Sequence, residues 1–502
     1  MTEPEWDVVV VGAGTSGCAL AGRLADAGRR VLLLEAGAVP ARPADFPPEI
    51  RDAATMRATT SGHPANWDLT GELAPGLTVP VPRGRGAGGS SALNAGSFIR
   101  ATRSDLDGWA DDGNDLWSYD AVLPAFRRLE ADREFGDRPE HGATGPVPVT
   151  RAREGHPLAD AFAAAAADLG HPAEPDKNAG GDVPGYGPVP LNVVDGVRVN
   201  AAMAYLSPRQ DLATLAVRGG VTVRRVLVEH GRAVGVETAD GVVRAAEVVL
   251  CAGAVASPHL LLLSGIGPAD DLRRAGIEVL ADVPGVGAGF SDHPNVYVGY
   301  RTARPLPPSR LPLHGVLHAT SSGATVPGDL EILPWLTPFG RITGADTGGD
   351  GLVVGIGLQR PDSRGRLTLA DGDPRRQPRL AYGYLAAESD RRRLREGVRL
   401  AADLLGSASL VAGRSDLPDD VLRHDGDVDD WIRAHLTTAI HLSGTARMGP
   451  PSDPGGVVDQ ELRVRGVSGL RVVDTSVLPR VPSRGPAATA VMVGERAAEL
   501  MG

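Results

Sequence analysis

The chain has 502 residues, two cysteines and a formal net charge of −11 at pH 7. Its length exceeds the size at which one hydrophobic core stops growing, so we expect two domains. A diffuse acidic charge argues against a nucleic-acid binder, which normally presents a basic face. Cys18 and Cys251 lie far apart in the sequence, which excludes a disulfide scaffold. No residues have the spacing of metal ligands, so we expect no metal site.

The N-terminal segment carries no recognisable targeting signal. It reads MTEPEWDVVVVGAG, which is acidic and runs directly into an apolar stretch. The sequence contains no signal peptide, lipidation motif or apolar run of transmembrane length. We therefore expect a cytoplasmic protein without a transmembrane segment.

The first forty residues have the pattern of a dinucleotide-binding unit. Residues 7–11, DVVVV, form a continuous apolar run that is typical of a strand buried on both faces. GAGTSG follows, with Gly12, Gly14 and Gly17 in G-x-G-x-x-G spacing. A segment with helical periodicity comes next, and then a second strand that ends with Glu35.

Each part of this pattern has a physical role. Gly12 permits the tight turn, Gly14 lets the backbone approach a pyrophosphate, and Gly17 allows the helix and strand to pack closely. The helix N-terminus offers unpaired N–H groups to the phosphates. Glu35 can accept a hydrogen bond from ribose hydroxyls. The alternative, a glycine-rich turn in an ordinary α/β unit, leaves this acid unexplained. The motif alone does not separate FAD from NAD(P).

A second glycine cluster, RGRGAGGSSALNAGSFIR, occupies residues 83–100. So many glycines are incompatible with a regular helix or strand. Leu93, Phe98 and Ile99 are apolar, which argues against a solvated linker. We expect a buried loop that is pressed against a bulky ligand.

At these residues the sequence resembles the GMC (glucose–methanol–choline) flavin oxidoreductases. R-G-x-x-x-G-G-S-S-x-x-N in residues 83–94 is similar to the first signature of that family, with a departure at Ala87, where a branched aliphatic residue is usual. GAVASPHLLLLSGIG in residues 253–267 is similar to the second signature. Further family-like segments follow in the family's order: HGATGP (141–146), VPGVGAGFSDHP (283–294), DSRGRLTL (362–369), HLSGTARMG (441–449) and LRVVDTSVLPR (470–480).

The resemblance implies a mixed fold, α/β plus α+β, with a Rossmann-like FAD-binding domain and a substrate domain on an antiparallel β-sheet. It implies a discontinuous FAD-binding domain of residues 1–100, 197–300 and 445–502. The substrate-binding domain would comprise residues 101–196 and 301–444. Independently, the pattern of residues 221–238 predicts a β-hairpin or meander rather than a helix.

The motifs and the resemblance together imply a set of FAD contacts. Some relatives bind FAD covalently through a histidine in the first signature, and the matching residue here is Asn94. We therefore expect non-covalent FAD. The expected cofactor-binding residues are Gly12, Gly14, Thr15, Ser16, Gly17, Glu35, Ala36, Arg85, Gly88, Gly89, Ser90, Asn94, Ala95, Gly96, Val223, Ala252, Gly253, Asp474 and Ala487.

His441 is the expected catalytic base. Oxidation of an alcohol through a flavin requires loss of the hydroxyl proton and hydride transfer to flavin N5. A positioned base suits the first event, and the unperturbed pKa of histidine fits that task. The resemblance places the catalytic histidine of the family on His441. His435 is the alternative, whereas the resemblance gives His293 a structural role.

The usual partner of this histidine is missing. Family members place a second His or an Asn just before the last helix, but residues 479–496 contain neither. Gly485, Pro486 and Ala487 occupy the expected position. Pro486 suits the first turn of a helix that runs to Leu500. Arg484 is the candidate for holding the substrate oxyanion. The alternatives are that His435 takes the role of the partner, or that a single histidine acts without one.

The sequence therefore predicts an FAD-dependent alcohol dehydrogenase or oxidase. We expect a small-molecule substrate, such as a sugar, polyol, aminocyclitol or secondary-metabolite alcohol, and either O2 or a quinone-like carrier as electron acceptor. A flavin-containing lyase without net redox chemistry is one alternative. An NAD(P)-dependent reductase or a simple dinucleotide-binding module is another, but it leaves the later motifs unexplained.

Overall fold

A computed structural model of the chain describes residues 6–152, 155–180, 183–344 and 351–502. Its helices are α1 (Thr15–Asp26), α2 (Pro48–Arg51), α3 (Arg103–Asp111), α4 (Tyr119–Leu129), α5 (Pro157–Asp168), α6 (Ala201–Tyr205), α7 (Gly253–Leu263), α8 (Ala269–Arg274), α9 (Phe339–Thr343), α10 (Glu388–Ser407), α11 (Asp425–His435) and α12 (Ala487–Met501).

Most of the strands are short. They are β1 (Trp6–Val11), β2 (Val31–Leu34), β3 (Thr70–Ala74), β4 (Leu77–Pro80), β5 (Glu130–Asp132), β6 (Val147–Val149), β7 (Tyr186–Pro188), β8 (Val193–Val194), β9 (Val197–Arg198), β10 (Leu215–Arg218), β11 (Val223–Glu229), β12 (Arg232–Thr238), β13 (Gly241–Leu250), β14 (Ile266–Gly267), β15 (Ala281–Asp282), β16 (Ala288–Phe290), β17 (Pro294–Thr302), β18 (Gly315–Ala319), β19 (Leu330–Pro334), β20 (Leu352–Leu358), β21 (Gly365–Thr368), β22 (Arg379–Ala381), β23 (Val411–Arg414), β24 (Thr437–Thr438) and β25 (Leu470–Val472).

The first large sheet has a parallel centre and an antiparallel flank. Strands β10, β2, β1, β13 and β25 run parallel, and β12 and β11 continue the sheet from β13 as an antiparallel pair. The apolar runs of β1 and β2 fill the centre, as expected for strands covered on both faces. The antiparallel pairing of β11 with β12 confirms the hairpin predicted at residues 221–238.

The second large sheet is antiparallel, in the order β23-β17-β20-β19-β18-β7. Helix α10 packs against one face, where Gly397 lies close to the side chains of Ile356 and Leu330. The two sheets confirm the predicted fold class, a Rossmann-like unit joined to an antiparallel substrate-domain sheet.

Two sets of strand pairings cross the expected domain boundaries. Strand β17 spans residue 300 and lies wholly in the antiparallel sheet. Strands β3 and β4, from the segment expected in the FAD domain, join a five-stranded sheet with β22 through the pairing of Glu72 with Ala381. These pairings are non-local, so the hydrophobic pattern of each strand alone does not reveal them. Among the described residues, no helix is both long and apolar enough to cross a membrane.

Candidate active site

The parallel strands of the first sheet end at one edge, and predicted cofactor residues follow them directly. Gly12 comes after β1, Glu35 after β2, Ala252 shortly after β13 and Asp474 shortly after β25. Ligands of open α/β sheets bind outside the carboxyl ends of the strands. The structure therefore brings together four expected cofactor segments that are far apart in the sequence.

Two glycines of the first glycine turn, Gly12 and Gly17, have no room for a side chain. Gly12 has φ of +104°, and a Cβ on it would lie 2.6 Å from the carbonyl oxygen of Cys251. A Cβ on Gly17 would lie 2.0 Å from the carbonyl oxygen of Gly12. Helix α1 starts at Thr15 with Gly14 as its N-cap, and it has neither a side-chain cap nor an acid in its first turn. Its first N–H groups are thus available to an anion.

The second glycine loop lies directly on the first. Gly88 N–H donates to the carbonyl of Ala13 at 2.8 Å, and a Cβ on Gly89 would lie 2.8 Å from Cα of Gly14. Asn94 Oδ1 accepts from the N–H of Gly96 at 3.0 Å, which fixes the turn that contains Ala95. The two glycine motifs therefore form one continuous backbone cradle.

Glu35 and Asp474 are buried acids that stabilise this cradle. The two oxygens of Glu35 accept from the N–H groups of Ala13 and Gly37, both at 2.9 Å. Asp474 Oδ2 accepts from Gly253 N–H at 2.9 Å and from Ser257 Oγ at 2.6 Å. Burial raises the pKa of Asp474. Each carboxylate joins the end of its own strand to the turn that follows the neighbouring strand of the sheet.

Other expected cofactor residues have different surroundings. Ser16 is buried, and its hydroxyl donates to the carbonyl of Ala490 in α12 at 2.6 Å, so this side chain joins two helices. Arg85 is exposed, with its guanidinium carbon 5.2 Å from the ring centre of Trp67. Ser90 is exposed as well, and its hydroxyl accepts from Gly84 N–H at 3.2 Å.

Two histidines form the centre of the candidate active site. Nδ1 of His441 lies 2.9 Å from Nδ1 of His293, and Nε2 of His293 lies 3.0 Å from the carbonyl oxygen of Pro482. Because a carbonyl only accepts, His293 Nε2 carries the proton of this bond. Burial lowers the pKa of His293 to about 3, so its ring is neutral and Nδ1 accepts. His441 must then donate from Nδ1, which leaves the lone pair on its Nε2.

The environment of His441 keeps its imidazole neutral. Burial, followed by the neighbouring His293 and Arg83, lowers the pKa of His441 well below its ordinary value. Asp292 Oδ1 accepts from the main-chain N–H groups of His293, at 2.6 Å, and His441, at 2.8 Å. One carboxylate therefore fixes the backbone of both histidines.

Gly485 lies beside the basic nitrogen. A Cβ on Gly485 would be 3.4 Å from Cε1 and 3.5 Å from Nε2 of His441. Helix α12 begins two residues later at Ala487, with Pro486 as an N-cap that has no side-chain hydrogen bond. The expected helix after Pro486 is confirmed, and the segment without His or Asn does face the base.

Of the other two expected catalytic residues, His435 is not brought to His441. His435 is exposed at the end of α11, where its ring stacks on Trp431 at 4.2 Å and its Nδ1 bonds to the carbonyl of Trp431. This placement corrects the alternative assignment of the base. Arg484 is buried, and Nη1 donates to the main-chain carbonyls of Gly328 at 3.0 Å and Ser483 at 2.6 Å. Its Nε and Nη2 are buried and have no hydrogen-bond partner among the described residues, so the expected oxyanion role of Arg484 stays a prediction.

The residue that sequence reasoning underrated is His293. The sequence shows an Asp-His-Pro turn, but 148 positions separate His293 from His441. The adjacency of Asp292 and His293, directly before a buried strand, is the only local signal of a constrained imidazole.

Comparison with known proteins decides the family. Two family models described as GMC oxidoreductase match residues 6–295 and 361–494. The chain belongs to the GMC oxidoreductase family. This result confirms the predicted family and an FAD-dependent enzyme class that acts on alcohol groups.

Relatives of this GMC oxidoreductase cover nearly its whole length. An uncharacterized GMC-type oxidoreductase of Rhodococcus erythropolis is 42% identical over 511 residues, covering 100% of this chain and 99% of the relative. Mitochondrial choline dehydrogenase of Homo sapiens is 36% identical, with 99% and 90% covered.

Solved structures of similar proteins have the same fold. Pyridoxine 4-oxidase from Mesorbium loti superposes with a TM-score of 0.89 at 32% identity, covering 99% of both chains. Formate oxidase from Aspergillus oryzae RIB40, in a structure concerned with FAD modification, gives a TM-score of 0.89 at 26% identity, covering 99% and 98%.

Proposed function

We propose that this GMC oxidoreductase oxidises a small alcohol to an aldehyde or ketone, with Nε2 of His441 as the base that takes the hydroxyl proton. The observation that carries the proposal is the chain of hydrogen bonds from Pro482 through His293 to His441. These hydrogen bonds leave the imidazole of His441 neutral, with its lone pair on Nε2, the nitrogen that faces Gly485. A general base needs that combination of protonation state and access.

The residues around the base have different roles in the proposed reaction. His441 would accept the proton at Nε2, while its Nδ1–H remains bonded to His293. His293 is a positioning residue, because it fixes the tautomer and ring orientation of His441 without facing the substrate. The absence of a side chain on Gly485 leaves space for the carbinol next to Nε2.

The backbone cradle supports non-covalent FAD as the cofactor. The open N–H groups at the start of α1 and the bare turns at Gly12–Gly14 and Gly88–Gly89 suit a pyrophosphate and a ring that lie against backbone. The uncapped N-terminus of α12 at Ala487 offers further N–H groups for negative charge. FAD, when bound, supplies the acceptor for the hydride. Asn94 offers no imidazole for a covalent bond at its position.

An anaerobic screen of alcohols tests this function. Mixing the FAD-loaded enzyme with a substrate alcohol without oxygen should bleach the flavin absorption, and a lyase without net redox chemistry would leave it yellow. His441→Ala should keep FAD bound yet slow the bleaching by about 10²–10⁴-fold. His435→Gln is the matched control, because that histidine is exposed and bonded to Trp431. A His441→Ala enzyme that reduces its flavin at the parental rate would remove His441 as the base.

The electron acceptor is tested separately. We propose O2 or a quinone-like carrier, and the two are distinguished after the flavin has been reduced. Admission of air with formation of hydrogen peroxide identifies an oxidase. Reoxidation by a quinone, with little peroxide formed in air, identifies a dehydrogenase.

A further inference from the structure

A small cleft lined by five arginines lies beside the loops that carry the histidine pair. It has a volume of about 110 Å³, and it forms where the loop after β20 meets the first turns of α10 and the segment before Pro482. We call it the arginine cleft, and its five arginines are Arg360, Arg364, Arg392, Arg393 and Arg480. A local excess of guanidinium groups is unexpected in a chain with a net charge of −11.

Three of the five arginines form ion pairs with aspartates of the protein. Arg360 pairs with Asp105, and Arg393 pairs with Asp390 at 2.8 Å; the side chains of both acids are fully buried. Arg480 pairs with Asp112. These acids hold the guanidinium groups in place without filling the cleft.

The other two arginines have no acidic partner among the described residues. Arg364 donates only to the main-chain carbonyls of Pro361, at 2.6 Å, and Ser363, at 3.0 Å. Arg392 forms no hydrogen bond or ion pair with a described residue, and its guanidinium packs on Gly323. One acid, Asp362, lines the cleft, and it already accepts from Ser389 Oγ at 2.6 Å and from Arg393 at 3.0 Å.

We propose that the arginine cleft binds a phosphate-type oxyanion, either free phosphate or the phosphate end of a small molecule. Guanidinium groups match phosphate oxygens with paired hydrogen bonds. Several converging guanidinium groups suit a tetrahedral dianion, whereas a carboxylate is satisfied by one fork. The volume is well below the roughly 300–1,000 Å³ of clefts that hold a drug-sized ligand, so it fits a single group.

The cleft is separate from both the FAD cradle and the base. Its lining shares no residue with the cradle or with the histidine pair, so the proposed oxyanion would contact neither the pyrophosphate turn nor Nε2 of His441. Ser291 and Val481 are among its lining residues, and the N–H of Val481 donates a 2.9 Å hydrogen bond to Ser291 Oγ. The next residues in sequence, Asp292 and Pro482, hold the histidine pair. An occupant would therefore brace the segments that carry the base.

Thermal melting of the FAD-loaded full chain tests the proposal without relying on the proposed function. The melting temperature is followed against inorganic phosphate at constant pH and ionic strength, because ligand bound to the folded state raises it by mass action. We expect a saturable rise with phosphate and none with acetate. Glycerol 3-phosphate, titrated in parallel, separates the two sources: tighter binding of the ester identifies the phosphate end of a small molecule, and equal binding identifies free phosphate.

Variants connect the effect to the cleft. Arg392→Gln removes a side chain that makes no bond within the described protein, so folding is not at risk, and it should weaken phosphate binding roughly tenfold or more. The double variant Arg364→Gln/Arg392→Gln should abolish saturation. Arg379→Gln, at an exposed arginine that has no ion-pair partner among the described residues, is the matched control and should behave as the parent. No saturable rise in the parent, an equal response to acetate, or unchanged affinity in the double variant would overturn the proposal.

Discussion

His293 and His441 face each other through their Nδ1 atoms at 2.9 Å, with ring planes 85° apart. Both backbones are held by the same oxygen of Asp292. A nearly perpendicular pair lets the lone pair of one ring point at the N–H of the other, which fixes a single tautomer for each. The geometry thus sets which nitrogen of His441 is basic.

Replacing His293 should slow the chemistry more than it affects binding. His293→Leu removes the acceptor for the Nδ1–H of His441, so we expect flavin reduction to slow by about 10–100-fold with KM little changed. His293→Asn restores an acceptor near the position of Nδ1 and should recover part of the rate. Stopped-flow flavin reduction with both variants checks this. Equal rates for the Leu and Asn variants would show that the hydrogen bond does not matter.

The rate of flavin reduction should begin to fall only at unusually low pH. Burial and the neighbouring His293 and Arg83 lower the pKa of His441 well below its ordinary value. His441 is protonated, and lost as a base, only when the pH falls below that lowered pKa. The reduction rate should therefore stay constant from pH 8 to pH 6 and fall only at lower pH. A midpoint near pH 6.5 would contradict this prediction.

Asp292 also titrates in this range, because burial raises its pKa to about 6. Its Oδ2 can take up the proton next to Thr438, 3.2 Å away, while Oδ1 keeps its bonds to both histidine N–H groups. We therefore expect Asp292→Asn to reduce its flavin at close to the parental rate over the same pH range. A strongly slowed Asn variant would show that the charge itself is needed.

Gly485→Ala should obstruct the space next to the base. The new methyl group would lie 3.5 Å from Nε2 of His441, where the substrate hydroxyl must approach. A displacement of about 1 Å at a reacting centre can cost about 10²-fold in rate. We expect FAD to stay bound while reduction slows and KM rises. Gly406→Ala, in α10 with open space around it, is the control. Parental kinetics for Gly485→Ala would place the carbinol elsewhere.

Gly14→Val should expel the cofactor. Gly14 is the N-cap of α1, and a Cβ on it would lie 3.6 Å from the carbonyl oxygen of Cys251, an ordinary contact, so the protein itself tolerates a side chain there. A branched side chain would cover the N–H groups that face a pyrophosphate. The ratio of flavin to protein absorbance after purification measures the effect. Gly108→Ala, at an unhindered position in α3, should retain FAD. Full FAD occupancy in the Val variant would move the pyrophosphate away from this turn.

Features that depend on local sequence were predicted well. The turn after β1, the strand directly before Glu35 and the final helix follow from glycine spacing, hydrophobic period and Pro486. The arrangement of the candidate active site was predicted only in part, because His293 and His441 meet across 148 positions. The bond of Arg484 to Gly328 depends in the same way on a contact between residues 156 positions apart. Such contacts have no local pattern.

A second buried histidine, His141, has a raised pKa, whereas the pKa of His441 is lowered. Nδ1 of His141 lies 2.9 Å from Glu130, and Nε2 lies 2.9 Å from Asp176. The ligand atoms of Glu130, Asp132 and His141 lie within 4.8 Å of one another, a spacing that also suits a metal ion. Arg100 pairs with Glu130, and Arg151 pairs with Asp132 at 2.6 Å. These cations already balance the carboxylates, so the group acts as a buried ion network.

The stability contribution of His141 should disappear at high pH. Burial alone would lower its pKa, but hydrogen bonds to Asp132, Asp176 and Glu130 raise it to about 10. Because the folded pKa exceeds the ordinary value of about 6.5, the stabilisation is complete below pH 6.5 and is lost as the pH rises to about 10. His141→Gln should therefore melt well below the parent at pH 6.5, and this difference should shrink towards pH 10. His424→Gln, at an exposed histidine, should show no such trend. A difference between parent and His141→Gln that stays constant or widens towards pH 10 would contradict a charged His141.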